Sequence, residues 1–136
     1  MDAITRVIQV WRNWGVALNP PASAASLSKL ARVLDETVPE DLQRFYELAD
    51  GMPEFSTDGW HLSFWSIDRV LTEHDFHGDS LAFADFLIYS HCMRIRPIGG
   101  SSRVTVDGGA EAFASLDEFF DRYLVDPGHF GMREAG

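Results

Sequence analysis

The chain contains little cysteine, few basic residues and no long hydrophobic run. Cys92 is the only cysteine among 136 residues, which excludes an internal disulfide and indicates a reducing compartment. No apolar run approaches the roughly 20 residues of a membrane-spanning helix. The first residues also lack the basic and then apolar stretches of a signal peptide. We therefore expect a cytoplasmic protein that forms one domain over residues 1–136.

Acidic residues outnumber basic ones by 21 to 11, and the formal net charge is −10. A negative field of this size repels nucleic acid and anionic membrane surfaces, so neither is expected as a partner. The same field attracts a basic protein, although an acidic surface can also serve solubility alone. The hydrophobic fraction of 46%, with 10 phenylalanines and 4 tryptophans, is typical of a folded globular domain.

The stretch from Phe83 to Leu124 predicts three antiparallel strands that lead into a closing helix. Phe86–Arg96 is a long apolar run that predicts one strand. Its first half is apolar on both faces, which is typical of a covered strand, and its second half alternates apolar and basic residues, which is typical of a strand with one face in water. Gly99-Gly100 and Asp107-Gly108-Gly109 are predicted turns, because glycine adopts positive φ freely. The other two strands are predicted at Arg103–Asp107 and Ala110–Ala114.

The closing helix has a start signal and an apolar stripe. Ser115 and Glu118 have the spacing of a capping box, in which each side chain satisfies a free backbone N–H at the helix start. Apolar side chains then follow at helical spacing: Leu116, Phe119, Phe120, Tyr123 and Leu124. A sheet with one apolar face and a helix with one apolar stripe bury these surfaces against each other.

The N-terminal half predicts helices around one short strand. An extra helix over residues 1–20 has apolar side chains at three- and four-residue spacing, and Pro20 and Pro21 end it. Further helices are predicted at Ser23–Leu34, at Pro39–Ala49 and from Ser66 to His77, with a strand at Trp60–Trp65. The predicted fold class is therefore α+β, with an antiparallel sheet of about four strands packed against several helices.

Residues that could carry chemistry are few, and simpler explanations account for them. His74, His77, His91 and Cys92 match no zinc spacing, and His91 and Cys92 face opposite ways because they are neighbours in a strand. The sequence contains no nucleophile elbow, and Gly99-Gly100 leads into a strand rather than opening a phosphate-binding helix. We therefore expect no catalytic residue, no metal and no cofactor, in a protein that is not an enzyme.

Two tryptophans beside acidic residues are the most suggestive feature for binding. Trp60 and Trp65 lie near Asp58 and Asp68, and aromatic rings beside carboxylates bind basic side chains well. At least one of the two tryptophans is expected in the core instead. The predicted protein-binding residues come from loops and strand ends near the sheet: Asp58, Trp60, Trp65, Asp107 and Glu111.

Several short motifs occur in an order and spacing that are more specific than any one of them. They are Val38-Pro39-Glu40-Asp41-Leu42, Phe45-Tyr46, Ala49-Asp50-Gly51, Phe64-Trp65-Ser66-Ile67-Asp68, Phe83-Ala84-Asp85-Phe86-Leu87-Ile88 and Phe113-Ala114-Ser115-Leu116 with the helix that follows. In this arrangement the chain resembles the Smi/Knr family, also called the SUKH superfamily. The likeness covers about Ser23 to Pro127 and leaves the first helix outside.

The resemblance implies an α+β fold with an antiparallel sheet backed by helices, and neither catalytic residues nor a cofactor. Many bacterial members of that family look like immunity proteins, which bind and neutralise a cognate toxin, often a nuclease. Fungal members regulate cell-wall synthesis and signalling through protein contacts. Two hypotheses follow: an immunity protein for a basic toxin, or a regulatory scaffold module that binds an endogenous protein. The binding face and the oligomeric state stay open.

Overall fold

The computed structural model describes residues 2–34, 37–86, 91–109 and 111–130, and it confirms the α+β class. The helices in these ranges are α1 (Ala3–Asn13), α2 (Ala24–Val33), α3 (Glu40–Leu48), α4 (Ile67–Glu73) and α5 (Leu116–Val125). The strands are β1 (Leu62–Phe64), β2 (Phe76–His77), β3 (Ser80–Phe86), β4 (His91–Ile98), β5 (Ser101–Val106) and β6 (Ala112–Phe113). A 3-10 turn, Pro127–Phe130, follows α5. Within the described ranges, no helix has both the length and the apolarity that crossing a bilayer requires.

Serine side chains begin three of the helices, as the preference of serine for N-cap positions predicts. Ser23, Ser66 and Ser115 each accept a hydrogen bond from the backbone N–H three residues later. The expected capping box of α5 differs by one residue, because the Glu118 carboxylate accepts from the backbone N–H of Ala114 rather than of Ser115.

The strands form one antiparallel sheet in the order β1-β3-β4-β5-β6, and β2 pairs with β3 beyond the end of β1. Helices α3 and α5 contact β5, and α1 packs on both of these helices. This covered face, called the inner face below, carries Met93, Ile95 and Val104. Since successive strand residues point to opposite faces, Arg94 and Arg96 belong to the outer face.

The expectation of a single strand over Phe86–Arg96 is wrong. Phe86 pairs with His91 in an antiparallel ladder, so this apolar run belongs to two strands, β3 and β4. Leu87, Ile88, Tyr89 and Ser90 lie outside the described residues. Apolar residues occur in both strands and in the sequence between them, so the pattern suggested one long strand. Over the residues that the structure describes, the sheet has six strands rather than about four, since β2 is added as well.

The expected helix from Ser66 to His77 is shorter than predicted. Helix α4 ends at Glu73, because His74 takes a left-handed conformation with φ of 46°. Phe76 and His77 form the short strand β2, which pairs with the start of β3. A two-residue strand has too little sequence to show an alternating pattern, so it could not be distinguished from the end of the helix.

The core is rich in aromatic side chains, and α1 is part of it. Trp11 is fully buried, and its ring packs on Phe45, Phe64 and Phe120. Its indole Nε1 donates a hydrogen bond of 2.9 Å to the hydroxyl of Tyr123. The first helix, which lies outside the family resemblance, therefore closes the same core as the rest of the described chain.

A buried carboxylate fixes the start of α5. The Asp41 side chain of α3 accepts hydrogen bonds from the backbone N–H groups of Ser102 and Leu116, at 3.0 and 2.9 Å, and from the Ser102 hydroxyl at 2.8 Å. Asp41 lies in the first turn of α3, where its negative charge favours the positive end of the helix dipole. It also ties α3 to β5 and α5, which positions three elements at once.

Trp11 and Trp14 provide a matched test of the role of α1. Replacing Trp11 with Ala removes a fully buried indole and its hydrogen bond, and should lower the free energy of unfolding by about 3–5 kcal/mol. Trp14→Ala should change it by less than about 0.5 kcal/mol, because the Trp14 side chain is half exposed. Urea denaturation followed by circular dichroism measures both. A small loss for Trp11→Ala would show that α1 does not close the core.

Candidate interaction surface

The structure separates the five predicted binding residues into exposed and buried ones. Trp60 is 41% exposed, and Asp107 and Glu111 also reach the surface. Asp58 is only 2% exposed and Trp65 is fully buried. The prediction that Asp58 and Trp65 contact a partner is therefore wrong, because neither side chain presents a surface in this fold.

The three surface residues lie towards the same end of the sheet. We call this the hairpin end. β1 begins there at Leu62, β3 ends there at Phe86 and β4 begins there at His91. Phe86 pairs with both Leu62 and His91. Asp107 lies there, since its backbone N–H donates to the carbonyl of Cys92. Glu111 lies directly before β6, and Trp60 directly before His61 and β1.

Trp65 lies beyond the opposite end of β1, in the core. Its backbone N–H donates to the carbonyl of Phe83 at 2.9 Å, and its carbonyl accepts from the Tyr46 hydroxyl at 3.0 Å. The guanidinium of Arg69 covers its ring at 4.6 Å from the ring centroid. At least one of the two tryptophans was expected in the core, and that tryptophan is Trp65.

Asp58 holds the loop that carries Trp60. Its carboxylate accepts hydrogen bonds from the backbone N–H groups of Trp60 at 2.7 Å and Leu62 at 3.1 Å. The Tyr123 hydroxyl donates a third, short hydrogen bond to the same carboxylate and itself accepts from Trp11. Burial raises the pKa of Asp58, although these hydrogen bonds oppose the rise. The loop is therefore attached to α5 and α1 through buried side chains.

The residues from 53 to 61, called the aromatic loop below, contain backbone strain beside exposed aromatic side chains. Phe55 has φ of 67° and is 73% exposed, and His61 has φ of 69°. A left-handed backbone costs a residue other than glycine roughly 1–2 kcal/mol. Such strain persists only where the surroundings enforce it, which here include the hydrogen bonds to Asp58. The hydrogen bonds to Asp58 hold the backbone at Trp60, and the loop presents the exposed rings of Phe55 and Trp60.

Sequence reasoning missed Phe55. A large aromatic residue within the polar run Pro53-Glu54-Phe55-Ser56-Thr57 was the available signal, since such a residue in a loop is either buried or functional. Two more exposed apolar side chains, Trp14 and Val125, closely follow Trp11 and Tyr123 along their helices.

The two acidic residues that were predicted to contact a partner, Asp107 and Glu111, differ in how accessible their carboxylates are. Asp107 accepts from the buried guanidinium of Arg94 at 2.8 and 3.0 Å, and Arg94 also binds the carboxylate and the carbonyl of Asp75. Burial acts to raise the pKa of Asp107, but its hydrogen bonds with Arg94 and the charge of Arg94 lower it overall. Glu111 is half exposed and pairs with His129. Glu111 is therefore the more accessible of the two acids.

The residues weighed for chemistry do not converge. Within the described ranges, no group of three or more His, Cys, Asp or Glu side chains is arranged to hold a metal ion. Cys92 is buried, and burial raises the pKa of its thiol to about 11, so the thiolate is scarce at neutral pH. The His91 ring stacks on Phe86 and hydrogen-bonds the carbonyl of Phe130. Each of these side chains has a structural partner or a buried position.

Comparison of the chain with protein-family models found no match, and comparison with curated proteins found none either. The resemblance to the Smi/Knr family therefore stays a hypothesis that rests on the quoted motifs. The observed α+β fold is compatible with that hypothesis, but many families of different function share this class.

Asp58→Ala tests whether the buried carboxylate holds the aromatic loop. The substitution leaves two backbone N–H groups and the Tyr123 hydroxyl without their acceptor, and should lower the free energy of unfolding by about 2–4 kcal/mol. Glu54→Ala, at an exposed position of the same loop, should change it by less than about 0.5 kcal/mol. Urea denaturation of both variants gives the comparison, and equal losses would contradict the role of Asp58.

The same variant has a defined pH signature. Because the folded-state pKa of Asp58 is raised, the folded protein holds this proton more tightly than the unfolded chain does. The stability that Asp58 contributes is therefore complete below its ordinary pKa of 3.8 and declines as the pH rises through the folded-state value. The difference between the wild type and Asp58→Ala should be larger at pH 4 than at pH 7.

Proposed function

We propose that this chain is a non-enzymatic protein-binding domain that docks its hairpin end onto a basic protein. The observation that carries the proposal is the exposed Trp60, held in place by a buried carboxylate at an end of the sheet to which Glu111 also projects. Trp60 and Phe55 supply apolar contact area, and Glu111 supplies charge. Interfaces draw most of their binding energy from such aromatic anchors within a polar rim.

The backbone strain of the aromatic loop supports a binding role. A loop that is already fixed loses little conformational entropy when a partner binds, so more of the contact energy appears as affinity. The cost of holding Phe55 at positive φ falls on the free protein. Replacing this phenylalanine with glycine would remove that cost and, with it, the exposed ring.

The charge of the chain indicates the sign of the partner. With a net charge of −10, the protein accelerates its encounter with a basic surface, and the acceleration weakens as salt screens the field. A nuclease toxin has such a surface, because its active site attracts phosphates. We propose occlusion as the mechanism: the bound hairpin end blocks access of nucleic acid to the toxin, in the cytoplasm of the cell that makes both proteins.

If the open reading frame beside this gene encodes a basic protein, a binding titration with that protein tests this function. Trp60→Ala should weaken the complex about 30-fold, which corresponds to roughly 2 kcal/mol for a central aromatic anchor. The thermal stability of the unbound variant should equal that of the unbound wild type. Ile98→Ala is the matched control, because Ile98 is an exposed apolar side chain at the opposite end of β4. Isothermal titration calorimetry gives the affinities, and stopped-flow fluorescence at 50 and 300 mM NaCl gives the association rates.

The proposal fails if Ile98→Ala weakens the complex as much as Trp60→Ala, or if the association rate does not depend on salt. A complex with an endogenous protein, weakened by Trp60→Ala but without any toxin, would instead favour the regulatory scaffold hypothesis.

Phe55→Gly separates the strain of the loop from its contacts. Glycine removes the cost of positive φ, so the free energy of unfolding should rise by about 1 kcal/mol, while the loss of the ring should weaken partner binding. Phe55→Ala is the control that removes the ring but keeps a Cβ, so it should weaken binding without the gain in stability. Equal stability of the two variants in urea denaturation would show that the loop is unstrained.

A further inference from the structure

Three of the five histidines of the chain lie at the hairpin end. His61 comes directly before β1, His91 begins β4, and His129 lies in the 3-10 turn after α5. The turn reaches this end of the sheet, because the Nε2–H of His91 donates a hydrogen bond of 2.8 Å to the carbonyl of Phe130. The other two histidines lie at the end of α4 and in β2. Histidine is therefore concentrated on the surface proposed to dock a basic protein.

The rings of His61 and His91 both lie against the ring of Phe86. The His91 ring stacks on it, with centroids 4.9 Å apart, and the His61 ring makes a T-shaped contact with it at 6.3 Å. The ion pairs that the described ranges give to histidines join His77 to Asp107 and His129 to Glu111, and include neither of these two rings. A proton on His61 or His91 therefore adds a positive charge with no paired carboxylate in the described ranges, beside an aromatic ring that tolerates a cation.

His129 controls how much negative charge Glu111 offers to a partner. The Nε2–H of His129 donates a hydrogen bond to the Glu111 carboxylate, and Nδ1 accepts one of 3.4 Å from Arg122, since a guanidinium has only donors. In this arrangement the ring is neutral and Glu111 keeps its full charge. When Nδ1 takes a proton, the imidazolium cancels the charge of Glu111 and loses the hydrogen bond from Arg122.

The remaining charged groups of this end do not reverse the change. Asp107 is bound by Arg94. Asp58 is buried in the aromatic loop with a raised pKa, so a proton there would change the charge in the same direction. Residues 131–136, which lie outside the described residues, include Arg133 and Glu134 but no histidine. Acidification from pH 7.5 to 5.5 therefore adds up to three positive charges through these rings, whatever the net charge of this end at neutral pH.

We propose that the hairpin end is a pH-sensitive docking surface, from which protonation of His61, His91 and His129 below about pH 6 releases a basic partner. This inference rests on the proposed function, because it concerns the regulation of the same surface. Each new cation repels a basic protein, and the cation on His129 also cancels Glu111, so the three together should weaken the complex roughly tenfold. Five added protons on a net charge of −10 leave the whole chain negative, so release depends on the local charge.

An octa-arginine peptide with acetylated and amidated ends is the probe, because its guanidinium groups keep their charge at both pH values. Isothermal titration calorimetry with the full chain, at constant ionic strength, gives dissociation constants at pH 7.5 and 5.5. The constant should be at least about tenfold larger at pH 5.5 for the wild type. Any pH dependence then belongs to the protein and not to the probe.

The matched variant replaces the three rings with amides, as His61→Asn, His91→Gln and His129→Gln together. Amides donate the same hydrogen bonds but take no proton, and asparagine tolerates the positive φ of position 61. The ratio of the two dissociation constants should fall to about twofold or less. His74→Asn, at an exposed position with positive φ at the end of α4, is the control and should keep the ratio of the wild type. If the triple variant does not fold, His129→Gln alone should lower the ratio at least about twofold.

The failure of the docking surface and the failure of the switch give different results. If Trp60→Ala leaves the affinity for octa-arginine at pH 7.5 unchanged, the hairpin end does not dock a cationic chain, and the switch fails with it. If Trp60→Ala weakens binding but the wild-type ratio stays below about twofold, or the triple variant keeps the wild-type ratio, docking stands and the switch is overturned. NMR signals of the imidazole Cε1–H groups give a readout without the peptide, and three rings that stay neutral at pH 5.5 would also overturn the switch.

Discussion

A buried carboxylate must be hydrogen-bonded, and this requirement fixes α5 at both ends. Asp41 receives the first backbone N–H of the helix, from Leu116, and Asp58 receives the hydroxyl of Tyr123 near the last turn. Each carboxylate also accepts backbone N–H groups from the sheet or its adjoining loop. Because both acids lose their partners if α5 shifts, the position of this helix determines the positions of β5 and of the aromatic loop. The surface proposed for binding is therefore determined by the core.

Local signals in the sequence predicted the parts of the fold that depend only on near neighbours. Ser115 caps α5 as predicted, and Ser23 and Ser66 cap α2 and α4 in the same way, because the N-cap hydrogen bond joins groups three residues apart. The stripe of α5 is buried as predicted at Leu116, Phe119, Phe120 and Tyr123, since helical spacing places these side chains on one face. Glycine is required at position 51, because φ there is 63° and a Cβ would lie 2.5 Å from the backbone of Trp65.

The candidate site was only partly predictable, because its arrangement depends on contacts between distant residues. Asp58 looked like a surface acid in a polar loop, but it is buried in the fold and accepts a hydrogen bond from Tyr123, 65 residues away. Trp60 and Trp65 have equivalent local surroundings in the sequence, but Arg69 covers the ring of Trp65 while Trp60 stays exposed. The reversal between Phe86 and His91 was hidden for a related reason, since both strands are apolar where they meet. Pattern and composition contain no information on such pairings.

Arg96 and Arg103, which pair across β4 and β5, lie away from the hairpin end, and this has a consequence for partner binding there. Arg96 is five residues along β4 from His91, which is about 17 Å. At physiological ionic strength the Debye length is about 8 Å, so the field of Arg96 and Arg103 is strongly screened at Trp60. A basic partner at the hairpin end therefore meets the acidic field of the chain without repulsion from the arginine pair.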